Sequence, residues 1–190
     1  MMKTQKFSVI QPYAILAFAV ALTAGSGPST NRTGAPAMNP KVTIEEFNDA
    51  GERTASLTVD RIVKSDAEWQ KQLTPEQFRV TRRSGTEPAF CGGYLKEHTT
   101  GIYRCICCRT ALFRSDAKFE SGTGWPSFFQ PIARRNIEQR PDNSMGMKRV
   151  ELLCARCGAH LGHVFDDGPK PTGLRYCINS ASLTFVPYKR

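Results

Sequence analysis

The residues best suited to covalent chemistry lie near the C-terminus, where Cys177 stands between Arg175 and Asn179. In a β-strand alternate side chains share one face, so these three would point one way while Tyr176 and Ile178 point the other. A cysteine attacks as a thiolate, and a neighbouring cation favours that form. Cys177 is therefore a candidate nucleophile, although a small cysteine buried in a core strand would give the same local pattern.

Four other cysteines form two C-x-x-C pairs. The chain has 190 residues and seven cysteines, of which Cys105 and Cys108 form the first pair and Cys154 and Cys157 the second. Each pair can deliver two sulfurs from a tight turn to one side of a metal ion, so the two pairs together predict a tetrahedral zinc site. Because the pairs lie far apart in the sequence, the metal would hold together a domain larger than a compact zinc finger.

Two histidines and a tryptophan could assist a thiol enzyme. His160 and His163 are two of the three histidines in the chain, and imidazoles titrate close enough to neutral pH to donate a proton. They are not needed as zinc ligands, because four cysteines complete a coordination shell. Trp125 lies in a loop rich in glycine and proline, from which an aromatic ring can form the wall of an apolar pocket.

The elements that must position these residues are predicted to be short strands. Residues 41–47 and 55–63 have β-forming composition and flank a turn at 48–51, which predicts a hairpin. Similar runs lead into and out of the first cysteine pair and into the second, at 101–104, 110–113 and 147–153. The metal site would therefore lie where the ends of several strands meet.

Helices are predicted only between the hairpin and these strands. Ser65 and Glu68 have the spacing of a capping box, which marks the start of a short helix. Thr74 followed by Pro75 marks the start of a second helix, expected to end at about Val80.

The N-terminus is typical of an exported protein. Residues 1–25 combine a short basic segment with an apolar run and small residues, which predicts a secretory signal peptide. The apolar run is short for a transmembrane span, and an uncleaved anchor is the alternative. Residues 26–40 are rich in Gly, Ser, Thr, Asn and Pro and are interpreted as a linker. Export implies an oxidising compartment, where a bound metal would protect four of the thiols.

Composition sets wider limits. With 40% hydrophobic residues the chain can bury one core, so a single domain with flanking segments is expected. The net charge of +9 is spread along the sequence. It fits solubility or weak electrostatic steering as well as it fits nucleic-acid binding.

Several stretches, in this order and with this spacing, resemble the peptide-methionine (R)-S-oxide reductases, the MsrB family. They are 101–103 with the first cysteine pair, 121–128, 157–168 and 175–180. The resemblance extends from about Ser65 to Phe185, and the likeness of the hairpin to that of some exported members is weaker. It implies a hairpin extension at 41–64 and a catalytic domain at 65–190. That domain would be mostly β, with two antiparallel sheets forming a barrel-like (Mss4-like/MsrB) fold, one structural Zn²⁺ and short N-terminal helices.

The resemblance also implies roles for individual residues. Cys177 matches the catalytic cysteine and Trp125 the tryptophan that packs against the substrate methyl group. The structural zinc ligands are matched by Cys105, Cys108, Cys154 and Cys157, and active-site positions by His160, His163, Arg175 and Asn179. Cys177 would attack the sulfur of methionine-R-sulfoxide in a protein or peptide while His163 protonates the oxygen. His160 and Asn179 would position that oxygen or a water molecule.

The resulting Cys177 sulfenic acid needs a second thiol to resolve it. Some family members carry this thiol in the Gly-Trp-Pro loop, where this chain has Thr123. Others carry it in a segment like 87–92, which here contains Cys91. The resemblance thus implies a Cys91–Cys177 disulfide that a thioredoxin-like reductant reopens. Cys107 departs from the family pattern; it is expected to point away from the metal, with exchange for a neighbouring ligand as the alternative.

Two other classes of protein fit part of the sequence. A zinc-ribbon module, for example one that binds nucleic acid, would explain the paired cysteines and the basic charge but has no need of export. An exported thiol-disulfide oxidoreductase would explain reactive thiols, but its redox pair normally opens a helix in a βαβ unit. The reductase interpretation predicts a periplasmic bacterial monomer that binds no nucleic acid and is not stably inserted in the membrane after signal cleavage.

Overall fold

The computed structural model describes residues 39–188, which form a mostly β structure with two short helices. The signal peptide predicted at 1–25 and most of the linker predicted at 26–40 lie outside the described residues. Within 39–188 neither helix is long and apolar enough to cross a bilayer.

The predicted hairpin is the first element. Strands β1 (Lys41–Phe47) and β2 (Arg53–Asp60) pair antiparallel around a turn in which the side chain of Asn48 accepts hydrogen bonds from two backbone N–H groups. The second strand ends three residues before the predicted Val63. The hairpin is docked through Ile44, which is 1% exposed.

Two capped helices follow, α1 (Asp66–Gln72) and α2 (Pro75–Arg82). The capping box predicted at Ser65 is present, and the start predicted at Thr74 is a second capping box. The second helix runs one half-turn beyond the predicted Val80. Side chains at the ends of the helices reach the cysteine turns. Gln72 donates to the carbonyl of Cys107 at 2.5 Å, and Arg82 donates to that of Cys157 at 3.0 Å.

Two antiparallel sheets make up the rest of the domain. The larger contains β5 (Lys118–Phe119), β6 (Ser127–Phe128), β7 (Ile137–Asp142), β8 (Arg149–Cys154), β9 (His160–Phe165) and β10 (Arg175–Ile178), in the order β5-β6-β10-β9-β8-β7. The smaller contains β3 (Gly101–Cys105), β4 (Ala111–Arg114) and β11 (Leu183–Pro187), in the order β11-β3-β4. The mostly β fold class predicted from the sequence is confirmed.

The core lies behind strand β10. Tyr176 and Ile178, 4% and 0% exposed, point into it from that strand. They join an aromatic cluster in which Phe113 stacks on Phe128 at 4.3 Å and Tyr103 meets Phe128 edge-on at 5.0 Å. Burial of these rings fixes which face of β10 is internal, because one-residue slippage would move every side chain to the opposite face. Cys177 is consequently held on the other face.

Strand register places the polar residues of that face in rows. Cys177 pairs with His163 of β9, His163 pairs with Glu151 of β8, and Glu151 pairs with Arg140 of β7. In an antiparallel pair, directly opposed side chains lie about 5 Å apart. The register therefore brings the thiol and an imidazole together across adjacent strands.

Candidate active site

Cys177 opens into a cavity of about 120 Å³. Three residues singled out from the sequence share the cavity wall with it: Trp125, His163 and Asn179. The wall is completed by Thr86, Arg149, Gly162, Phe165 and Ile178. Cys91, His160 and Arg175 are not among the lining residues. The cavity has room for only the end group of one side chain.

The surroundings of Cys177 favour the neutral thiol, although the sequence places a cation two residues away. Burial raises the pKa of its thiol, and this outweighs the opposing effect of the Arg175 charge and of hydrogen bonds from Thr123 and Arg175. A low-dielectric setting disfavours the charged form of any acid. The nucleophile is thus shielded until its proton is removed or shared.

Arg175 is not a free cation beside that thiol. Its guanidinium forms two hydrogen bonds to Asp167, at 2.8 and 2.9 Å, and stacks 4.4 Å over the ring of Phe165. The Asp167 hydrogen bond raises the pKa of Arg175, while the Asp167 charge raises the pKa of Cys177. Asp167 therefore offsets a small part of the help that Arg175 gives to ionisation of the thiol.

His163 is held by a carboxylate that the sequence did not indicate. Its Nε2 lies 2.8 Å from Asp142, which also accepts from Arg149 at 2.7 Å. Hydrogen bonds from Ser144, together with those from His163 and the Arg149 charge, keep the pKa of Asp142 well below its usual range. An ionised acceptor orients the imidazole and favours a proton on Nε2, so a proton given to a substrate would have to come from Nδ1.

His160 lies beside this pair and is almost fully buried, at 2% exposed. Its ring centre is 5.5 Å from that of His163, and its Nδ1 lies 2.6 Å from Glu151. Burial lowers the pKa of His160, opposed by Glu151, so the ring is favoured in its neutral form. Its Nε2 has no hydrogen-bond partner among the described residues. A neutral ring with one unused nitrogen suits a structural or water-ordering role better than that of an acid.

Trp125 is fixed by the segment that carries Cys91. Its indole N–H donates to the backbone carbonyl of Glu87 at 3.0 Å. The backbone N–H of Phe90 in turn donates to Gly124 at 2.8 Å, where a Cβ would overlap Ala89 and Phe90. This close approach of the two loops is possible because position 124 is a glycine.

Asn179 follows the last residue of β10, and its side chain is 3% exposed. Its amide nitrogen donates to Leu161 at 3.1 Å and its oxygen accepts from the backbone N–H of Glu87 at 2.9 Å. With both ends of the amide occupied, its orientation is fixed. Asn179 is thus a rigid part of the cavity wall.

Gly162 brings strand β9 unusually close to Cys177. A Cβ at this position would overlap the backbone carbonyl oxygen of Cys177. Glycine between His160 and His163 therefore permits the strand spacing that sets the distance between thiol and imidazole.

Cys91 is exposed and carries a free thiol, as does Cys177. The adjacent Phe90 is 68% exposed and has a φ of 65°, a left-handed conformation that bulky residues rarely adopt. The loop that carries Cys91 is tied through Glu87 to Asn179, which directly follows the strand that carries Cys177.

Four sulfurs converge where the β3–β4 turn meets the β8–β9 turn. Those of Cys105, Cys108, Cys154 and Cys157 all lie within 4.8 Å of one another. The measured separations of 3.7 Å for Cys105–Cys157 and 3.5 Å for Cys108–Cys154 fit a tetrahedron with Zn–S bonds of about 2.3 Å, whose edges are about 3.8 Å. The four thiols thus form a metal-binding site. Cys107 is buried at 5% exposed and is not one of the four.

Three functional candidates were not singled out from the sequence: Glu87, Asp142 and Asp167. Glu87 and Asp142 bond to partners far away in the chain, so no spacing rule links them to those partners. Asp167 lies eight residues before Arg175, and this spacing of opposite charges is the local signal that could have suggested their ion pair.

The domain combines a thiol in a small cavity with a four-cysteine metal-binding site on antiparallel sheets. These features define a class of thiol proteins that carry a structural tetracysteine site. Comparison with known proteins narrows this class. The SelR domain family model matches residues 73–187. The chain is 58% identical over 122 residues to the peptide methionine sulfoxide reductase MsrB of Leptospira interrogans, covering 64% of this chain and 93% of that protein. It is 57% identical over 129 residues to the protein of the same name from Pseudomonas aeruginosa, covering 68% and 98%. The chain therefore belongs to the SelR (MsrB) family.

Proposed function

We propose that this protein reduces methionine-R-sulfoxide in proteins or peptides to methionine, with Cys177 as the nucleophile. The observation that carries the proposal is the cavity in which Cys177 meets Trp125, His163 and Asn179. An apolar ring, a thiol and a proton donor are what a methyl sulfoxide group needs around it. Similarity to the MsrB proteins over nearly their whole length supports the same assignment.

In the first step the substrate methyl group packs on Trp125 and the oxygen faces His163. Sulfoxide sulfur is a weak electrophile until its oxygen is protonated or strongly hydrogen-bonded, and His163, held by Asp142, supplies that proton. Cys177 attacks this sulfur, the S–O bond of the substrate breaks, and the protonated oxygen passes to the sulfur of Cys177. Methionine leaves, Cys177 becomes a sulfenic acid, and the thiol proton replaces the one that His163 gave.

Resting protonation of Cys177 fits this order of events. Because burial raises the pKa of the thiol, ionisation is favoured only when a partner can accept the proton. A bound substrate that has drawn a proton from His163 leaves that imidazole able to act as the acceptor. Activation of the nucleophile is in this way coupled to occupancy of the cavity.

In the second step Cys91 attacks the sulfenic acid. A Cys91–Cys177 disulfide forms and water leaves, carrying the hydroxyl of the sulfenic acid and the proton of Cys91. A thioredoxin-like dithiol then reopens the disulfide by exchange and is itself oxidised. Exposure of Cys91 supports its role as the resolving thiol.

The metal is proposed to be Zn²⁺, held by Cys105, Cys108, Cys154 and Cys157. Zinc binds four thiolates tetrahedrally and does no redox chemistry, so at this site it would supply structural stability. The sulfurs join the β3–β4 turn to the β8–β9 turn and so tie the small sheet to the large one. Cys107 is proposed to be inert.

Export to the bacterial periplasm, after cleavage of a signal peptide within residues 1–25, remains the proposed location, and a monomer the proposed assembly. The basic segment followed by the apolar run supports export. In that compartment the reductant would be an exported thioredoxin-like protein. The proposed division of the chain is a linker at 26–40, the hairpin extension at 41–64 and the catalytic domain at 65–190.

The function is tested by supplying dithiothreitol and the separate R and S epimers of a methionine-sulfoxide peptide. Turnover of the R epimer alone is expected, and its loss in Cys177→Ser with metal and fold retained. If the folded, metal-loaded protein turns over neither epimer, the proposal is wrong and a zinc-ribbon binding module becomes the better interpretation. Reduction of protein disulfides without sulfoxide turnover would instead favour a thiol-disulfide oxidoreductase.

A further inference from the structure

We infer that Glu87 is a positioning residue for the second step of the reaction, and that its carboxylate holds the Cys91 loop where it can reach Cys177. The inference rests on the proposed function, since it takes Cys91 as the resolving thiol. Glu87 is 5% exposed, which is rare for a carboxylate unless its oxygens are satisfied by hydrogen bonds.

The partners of this carboxylate lie directly after the strand that carries Cys177. One oxygen accepts from the backbone N–H of Ser180 at 2.6 Å, and the other accepts from that of Ala181 at 2.8 Å. Hydrogen bonds to an ionised acceptor are the stronger kind. Glu87, four residues before Cys91, is therefore bonded to a turn that begins three residues after Cys177.

A second anchor holds the other end of the Cys91 loop. Gly92 lies so close to Ser180 and to the Glu87 carboxylate that a Cβ at this position would overlap both. Tyr94 adds a hydrogen bond from its backbone N–H to the Ser180 hydroxyl at 3.3 Å. The loop 87–92 is thus pinned at both ends to the same short turn.

This pinning has a kinetic consequence. When two groups are held at short range, the effective concentration of one at the other rises, and the bimolecular step becomes intramolecular. Between these anchors the backbone of Phe90 is also bonded to Gly124, so it is the exposed side chain of Cys91 that is left to turn toward the sulfenic acid. Loosening either anchor lets the loop explore more positions and lowers the rate of disulfide formation.

The first step should not depend on the carboxylate. Glu87 touches Trp125 through its backbone carbonyl and Asn179 through its backbone N–H. Both groups remain when the side chain is changed to glutamine. Glutamine can accept only one of the two backbone hydrogen bonds and turns its NH₂ group toward the other donor. The substitution therefore perturbs the loop anchor and leaves the atoms that hold the cavity wall.

The test measures the two steps separately in single-turnover experiments with the full chain. One R-sulfoxide peptide per enzyme is added without reductant, and methionine and the Cys91–Cys177 disulfide are followed in time, with a dimedone probe for the sulfenic acid. In Glu87→Gln we expect disulfide formation to slow by about tenfold or more, with methionine formation changed by less than about threefold and more sulfenic acid trapped. The matched control is Glu46→Gln, on strand β1, which is far from this loop in the sequence.

A neighbouring glycine pair gives an independent test that does not touch Glu87. Gly92→Ala should slow the same step, whereas Gly93→Ala should not, because nothing lies within 4 Å of a Cβ at Gly93. These variants carry the test if Glu87→Gln fails to fold or to bind metal. Equal slowing of both steps, or no change in either, would overturn the inference.

The Cys91→Ser variant separates this inference from the proposed function. If it still recycles with thioredoxin at the wild-type rate, Cys91 is not the resolving thiol, and both the second step and the role of Glu87 are wrong. If Cys91→Ser blocks recycling while Glu87→Gln and Gly92→Ala behave as wild type, only the inference about Glu87 fails.

Discussion

Asn136 offers a direct measure of how the N-terminal hairpin is attached. Its side chain is fully buried and accepts from the backbone N–H of Glu45 at 2.8 Å. Its amide nitrogen donates to the carbonyls of Glu45 and Ala111, each at 2.8 Å. One amide thus clamps strand β1 to strand β4. Replacing it with alanine removes all three bonds without altering the cavity around Cys177.

The magnitude follows from these three bonds. At a net value of about 1 kcal/mol each, Asn136→Ala should cost about 3 kcal/mol of unfolding free energy. Ala111 is 2% exposed, so its carbonyl would be left unpaired, which brings the loss to about 5 kcal/mol where water cannot reach it. Typical domains have only about 5–15 kcal/mol in total, so the loss would be large.

Urea unfolding of the metal-loaded protein provides the assay, with Asn143→Ala on an exposed loop as the matched control. The control should change the unfolding free energy by less than about 0.5 kcal/mol. A second readout is metal release to a chelator, because β1 lines a cavity together with Cys108, the one partly exposed sulfur of the four. Faster release is expected in Asn136→Ala. If Asn136→Ala lowers the unfolding free energy by less than about 1 kcal/mol and releases metal at the wild-type rate, Asn136 does not clamp strand β1 to strand β4.

Three further predictions concern the site and the metal. Asp167→Asn should lower the pKa of Cys177, since the Asp167 charge helps to raise it. Alkylation of Cys177 at pH 7, measured by peptide mass spectrometry, should therefore be faster in this variant and unchanged in the control Asp166→Asn. An unaltered rate in Asp167→Asn would contradict the argument. Trp125→Phe keeps a ring but loses the hydrogen bond to the Glu87 carbonyl, so steady-state kinetics should show a KM raised by up to about fivefold with kcat little changed. Chelating the metal should unfold the domain, seen as loss of its circular dichroism and restored by Zn²⁺; an apo protein with the same unfolding midpoint would count against a structural metal.

How much the sequence could predict depended on the range of the interactions. Both capping boxes and the hairpin turn are encoded within a few residues, and these elements formed where expected. The four converging cysteines were also predictable, because C-x-x-C spacing alone constrains the chemistry. The opposite faces of β10 followed from simple alternation, with Tyr176 and Ile178 buried as predicted.

The rest depends on contacts between distant segments. Asp142 reaches His163 across the register of three strands, and Glu87 reaches Ser180 from a loop more than ninety residues away. The balance of effects on the pKa of Cys177 was hidden for a related reason. From the sequence only Arg175 was visible as an influence, whereas burial and the Asp167 charge appear only once the chain is folded.

Gly162 has a consequence for how such genes change over time. A Cβ there would overlap the Cys177 carbonyl, so any replacement must push β9 away from β10. A displacement of about 1 Å at a reacting group can cost a hundredfold in rate while leaving the remaining core residues in place. A duplicated copy that has lost this glycine would therefore still fold and bind metal, yet would no longer repair its substrate. This single position is expected to distinguish working copies from decayed ones in a genome.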